Sequence, residues 1–149
     1  GFNMKIIGTN KSGKKIEDIE IVDLLYLLEH SDIITVCVPL NKDTENLINK
    51  QELKLVKKNV ILVNASREKL VNKNAVLQSL SEKNLFGYGV ETDACVPIDP
   101  SDEYFQHPNI VLTPHNARNT KESEENALLG IIKNTEAFLN KNPINVINP

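Results

Sequence analysis

Val60-Ile-Leu-Val-Asn-Ala-Ser-Arg67 sets the pattern of this chain: four consecutive apolar residues, three of them β-branched, followed at once by Asn, Ala, Ser and Arg. A run this short, apolar without alternation, reads as a strand buried on both faces, as in a parallel sheet covered by helices. Similar runs lie on either side of it, at Met4–Gly8, Ile33–Val38, Leu85–Val90 and Ile110–Thr113. Helical patterns fill the intervals. Asp23 to His30 is a short apolar helix, and Asn72 is an N-cap before Val76, Leu77 and Leu80, which share one face. A last helix reads from an Asn119 cap with Glu122 three residues on, through a stripe of Leu128, Ile131, Ile132, Thr135, Phe138 and Leu139. Asn142-Pro143 ends it, and a strand-like tail, Ile144 to Ile147, follows. Strand–helix alternation of this kind predicts an α/β fold, a doubly wound parallel sheet.

Composition bounds the function. The 149 residues carry 17 Lys+Arg against 20 Asp+Glu, a net charge of −3, with 5% aromatic residues, which argues against a nucleic-acid binder. No apolar run is long enough to cross a bilayer, and no signal segment opens the sequence, so a cytoplasmic, membrane-free protein is expected. Cys37 and Cys95 form no CxxC pair, so neither a disulfide framework nor a metal site is expected. Cys37 ends an apolar run and reads as core.

Ligands of such sheets bind beyond the carboxyl ends of the strands. The residues in question are Thr9-Asn10, Pro39-Leu40, Asn64 to Arg67, Glu91 to Asp93 and Pro114-His115. Arg67 is one of only two arginines beside 15 lysines. Planar, two-pronged binding of a carboxylate or phosphate is a task that Lys performs poorly, although a surface ion pair is the alternative. His115 is either an exposed, capping residue or a proton carrier. Taken together, the two residues make a candidate site for an acid, one fixing the carboxylate and the other moving a proton.

Longer segments carry a resemblance. Asp32-Ile-Ile-Thr-Val-Cys-Val-Pro-Leu-Asn-Lys-Asp-Thr-Glu-Asn-Leu-Ile48, Val60 to Arg67, Val71 to Leu77, Pro108-Asn-Ile-Val-Leu-Thr-Pro-His115 and Asn145-Val-Ile-Asn-Pro149 follow one another in order. Together they resemble the D-isomer-specific 2-hydroxyacid dehydrogenases from Phe2 to Pro149. The resemblance implies a Rossmann-like domain that carries a hydride between NAD and a 2-hydroxy or 2-oxo acid. Arg67 would bind the substrate carboxylate and polarise its carbonyl, and His115 would give and take the proton. Asn10, Val38, Pro39, Ala65, Ser66, Arg67, Glu91 and His115 would line the cofactor. A homodimer is implied as well.

Three departures accompany it. The acid that pairs with the histidine in the family falls on Val96, which leaves Asp93 or Asp99 as substitutes from the same loop. Glu91 stands where the family usually has Asp. Asn10 replaces the acid that selects NAD, and Lys11, Ser12, Lys14 and Lys15 follow it, so NADP is an expected second cofactor. The six glycines form no GxGxxG. The sequence therefore reads as a Rossmann-like sheet lacking its first strand and glycine-rich loop, with 1–143 the later part of the dinucleotide domain and 144–149 a tail toward a substrate domain. On this reading the runs at Met4 and Ile33 are cut off from those at Val60, Leu85 and Ile110. The sheet would close by direct pairing across the gap or by exchange in a dimer. Weak cofactor affinity and no turnover are expected of these residues alone. A non-catalytic cofactor-binding or assembly module descended from this fold is the second functional class.

Overall fold

Parallel pairing organises the chain. In the computed structural model, which describes residues 3–92, 99–116 and 119–147, β1 (Ile7–Gly8) pairs with β2 (Glu20–Ile21). A second sheet has the order β3 (Ile33–Val36), β4 (Val60–Asn64), β5 (Leu85–Glu91) and β6 (Ile110–Thr113), parallel throughout. The α/β, Rossmann-like class expected from the sequence is what the chain forms.

One expectation about the sheet is overturned. The Ile33 run is joined directly to the Val60 run, in register from Ile33 opposite Ile61 to Val36 opposite Asn64. The break instead separates the β1–β2 pair from β3. The reason is β2: two residues are too few for periodicity to reveal, yet they occupy the place beside β1 that the longer run was expected to take. The alternative closure, pairing of the Met4 and Val60 runs, is not found among the described residues.

Residues 1–114 and 115–149 form two compact units. Within the first, α1 (Leu24–His30), α2 (Lys50–Leu53), α3 (Lys73–Ser81) and α4 (Glu103–Gln106) connect the strands. Side-chain caps start each of them: the oxygens of Asp23, Asn49, Asn72 and Asp102 accept from the backbone N–H of Tyr26, Lys50, Ala75 and Tyr104. Asn49 and Glu52 complete a reciprocal capping box, which helps so short a helix as α2 to hold. Asparagine also replaces glycine at turns. Asn46 and Asn59 take left-handed backbone angles, φ 54° and 62°, that most side chains avoid.

The core lies on one face of the larger sheet. Ile34 and Val36 of β3, Leu62 of β4, and Tyr88 and Val90 of β5 meet Leu28, Leu53, Val76, Leu80 and Tyr104 from the helices. Leu62 is fully buried, which is worth about 2 kcal/mol of apolar transfer. The strands are not buried on both faces, contrary to their composition. Burial alternates along β3 and β4, and Ile33, Ile61 and Val111 are exposed. Apolar content alone does not say which face the helices cover. Cys37, expected in the core, is an exposed free thiol for the same reason.

In the second unit, α5 spans Lys121–Leu139. Its cap is Thr120 rather than Asn119, because the Thr120 hydroxyl is the group that accepts from Ser123 N. The apolar stripe is present but exposed, with Leu128, Ile131, Phe138 and Leu139 all open. The tail from Ile144 to Ile147 forms no strand.

Candidate active site

Four loops at the carboxyl ends of the strands carry the expected residues of the first unit. After β3 the chain turns at Val38-Pro39. Thr44 secures this turn, its hydroxyl donating to the Pro39 carbonyl at 2.7 Å and accepting from Asn41 N at 2.8 Å. After β4, Ser66 Oγ donates to the Val38 carbonyl at 2.8 Å. Val38, Pro39, Ala65, Ser66 and Arg67 therefore form one continuous ledge across two adjacent strands.

The ledge is held from beneath by a residue that the sequence placed at a strand end without a role. Asn64, the last residue of β4, is fully buried. Its Oδ1 accepts from Ser66 N at 3.2 Å, and its Nδ2 donates to the Arg67 carbonyl at 2.7 Å. The same Nδ2 lies 3.4 Å from the Tyr88 hydroxyl. A buried amide costs stability unless its donors and acceptors are paired, and these contacts pair it. The available signal was an Asn closing an otherwise apolar strand. Burial pushes the Tyr88 phenol up to about 12, opposed by its hydrogen bond to Asn64, so the hydroxyl stays protonated. Burial raises Tyr104 as well; its ring packs 6.3 Å from that of Tyr88.

Arg67 is exposed, on extended backbone (φ −132°, ψ 134°), and its Nη1 donates to the Ser66 carbonyl at 3.0 Å. The guanidinium faces solvent, where an anion can reach it. Glu91 ends β5 in register with Thr113 of β6 and is buried. Thr92 stitches the same edge, with its N–H and hydroxyl both donating to the Thr113 carbonyl.

Asn10 follows β1. Its side chain closes its own turn, accepting from Lys14 N and Ser12 Oγ and donating to the Lys14 carbonyl. Lys11 pairs with Asp43 at 3.0 Å, which links the loop after β1 to the loop after β3. Lys14 and Lys15 are exposed. His115 begins the second unit, half-buried, with a left-handed φ of 53°. Of the acids considered as its partner, the position of Asp93 and the Val96 that replaces the family acid lie outside the described residues. So does Cys95. Asp99 is engaged elsewhere: Ser101 N and Oγ donate to its carboxylate at 2.8 and 2.7 Å and hold it below the usual range.

Comparison with known proteins places the chain in a family. The family described as D-isomer specific 2-hydroxyacid dehydrogenase, NAD binding domain, matches residues 1–117. The chain belongs to that family. A glyoxylate reductase of Thermococcus litoralis is 38% identical over 153 residues, covering 99% of this chain and 46% of that protein. Among solved structures, an acyclic imino acid reductase in complex with NADPH and D-arginine superposes with a TM-score of 0.86 at 32% identity, over 97% of this chain and 46% of that one. A D-lactate dehydrogenase from Lactobacillus jensenii, solved with NAD+, gives 0.85 at 26%, over 97% and 48%. The chain thus spans just under half the length of these relatives. It carries an NAD(P)-binding family's strands and helices. No described helix is long and apolar enough to cross a membrane.

Pro39 and Ala65 are exposed on the ledge, and Glu91 brings a carboxylate, an acceptor for an N–H, to the end of the next strand.

Proposed function

We propose that these residues form the nicotinamide and carboxylate side of the active site in an oxidoreductase that interconverts 2-oxo and 2-hydroxy acids. The observation that carries this reading is the hydrogen-bonded ledge: Ser66 joined to Val38, and Asn64 joined to Arg67, with the guanidinium left open at the carboxyl end of the sheet. When bound, the reduced nicotinamide supplies a hydride to C2 of the acid.

The chain's own groups do the rest. Arg67 takes the substrate carboxylate in its planar fork and draws electron density from the neighbouring carbonyl. His115 gives a proton to that oxygen as it becomes an alkoxide, and takes it back in the reverse direction. Val38, Pro39, Ala65 and Ser66 provide the wall behind the ring, and Glu91 accepts from the carboxamide. A neutral Asn10 in place of the acid that would repel a 2′-phosphate, with Lys14 and Lys15 exposed beside it, supports use of NADP as well as NAD. An exposed thiol at Cys37 supports a reducing, cytoplasmic setting. The open apolar face of Ile33, Ile61 and Val111 supports association with a second copy.

The test is oxidation of NADH or NADPH by the protein that carries this chain, with glyoxylate or pyruvate as oxidant. Dependence of the rate on the acid, and its loss in Arg67→Ala, are expected. Cofactor binding without oxidation under any of these acids would favour the non-catalytic module instead.

A further inference from the structure

We propose that Asn64 is a positioning residue for substrate recognition, and that the two ends of its buried amide have separable tasks. The inference rests on the reading of Arg67 as the carboxylate binder. Nδ2 donates to the carbonyl of Arg67 itself, at 2.7 Å, and so fixes the peptide from which the guanidinium projects. Oδ1 accepts from Ser66 N and holds the residue that joins the cofactor ledge to Val38. One amide thereby sets the spacing between the acid-binding fork and the ring-binding wall.

The support beneath it is rigid. Asn64 is fully buried, and Tyr88, 2% exposed, offers its hydroxyl to the same Nδ2 at 3.4 Å. Tyr104, 1% exposed, packs against Tyr88 from α4. Lys73 of α3 hydrogen-bonds to Asp102, the cap of α4, and stands 4.9 Å from the centre of the Tyr104 ring. The path from α3 and α4 to Arg67 is therefore continuous through packed aromatic rings and a single amide. A displacement of about 1 Å at a reacting group is enough to cost a large factor in rate, which is why such a support matters.

Asn64→Asp separates the tasks. The substitution keeps an oxygen for Ser66 N and replaces the donor to Arg67 O with an ionised acceptor. In the protein that carries this chain, KM for glyoxylate is expected to rise about tenfold, while the dissociation constant of NADPH, read by fluorescence, stays within about twofold of wild type. Burial beside carbonyl oxygens raises the pKa of the introduced carboxyl. Acidification from about pH 8 to about pH 5 protonates it and restores a donor, so the variant-to-wild-type ratio of kcat/KM recovers.

A purely structural role predicts something different: cofactor affinity and KM deteriorate together, with no recovery in acid. That result overturns the proposal. So does a wild-type KM in Asn64→Asp when Arg67→Ala has lost activity. If Arg67→Ala itself keeps a wild-type KM, the reading of Arg67 fails first, and the proposal falls with it. Tyr88→Phe retains the ring and removes only the hydroxyl, so it serves where Asn64→Asp does not fold. A KM about two- to threefold above wild type with unchanged NADPH affinity is expected there, and an unchanged KM counts against the proposal.

Discussion

Ser66 Oγ donates to the Val38 carbonyl at 2.8 Å, across 28 residues of sequence, and this bond joins the loops that leave two neighbouring strands. It lies beyond the carboxyl ends of β3 and β4 and is only part-buried, so water can replace the lost donor. Ser66→Ala is therefore expected to cost about 0.5–1.5 kcal/mol, the usual worth of a single hydrogen bond. Urea unfolding of wild type and variant measures it, with an unchanged slope and a lower midpoint as the expected result.

Arg67 is expected to act through shape as well as charge. Arg67→Lys keeps the cation but loses the two-pronged geometry, and a charge-assisted bond is worth about 1.5–3 kcal/mol, or roughly ten- to a hundredfold in affinity. Steady-state kinetics with a 2-oxo acid should place that loss in KM, with cofactor binding little changed. Equal kinetics in the two enzymes would show that the fork is not used.

How much of this was legible is best seen residue by residue. Arg67 stood out as a rare arginine after an apolar run and Ser66 through the family resemblance, and the structure joins Ser66 to Val38. Asn72 was readable as a cap because a cap is a local event between a side chain and a nearby N–H. Partner choice between strands was not readable. β2 is two residues long, and nothing within Glu20–Ile21 announces a strand; its existence depends on β1 beside it. Ile33 and Ile61 are equally instructive. Their apolar side chains suggest burial, and only the placement of the helices decides that they stay open. Asn64 stood among the strand-end residues without a role because part of its task is tertiary: the Tyr88 hydroxyl reaches its amide only once β4 and β5 are paired.

The core should respond as a well-packed interior does. Leu62 is fully buried in the middle of β4. Leu62→Ala is expected to destabilise by about 2–5 kcal/mol through lost transfer energy and the cavity left behind. Ile61→Ala, one residue away on the exposed face, should cost far less. Comparing the two unfolding midpoints checks which face of the sheet is the core.

Acid stability should depend on Asp102. Hydrogen bonding from Lys73 holds its carboxyl below the ordinary Asp range, with help from Tyr104 N. A depressed folded pKa stabilises above the unfolded value and loses that contribution as pH falls through the folded one. Asp102→Asn keeps an oxygen to cap α4 but carries no charge. Urea midpoints taken from neutrality down to about pH 2 should fall more steeply below about pH 4 for wild type than for the variant. Parallel curves would remove Asp102 as a source of the acid dependence.

The most direct measurement is the absorbance of reduced nicotinamide while the protein that carries this chain is mixed with glyoxylate. The account predicts acid-dependent oxidation of NADH or NADPH, lowered by about a hundredfold or more in both Arg67→Ala and His115→Asn. Asn is chosen at 115 because it tolerates the left-handed backbone found there. Wild-type rates in both variants, or no oxidation of either cofactor by any 2-oxo acid, would contradict it.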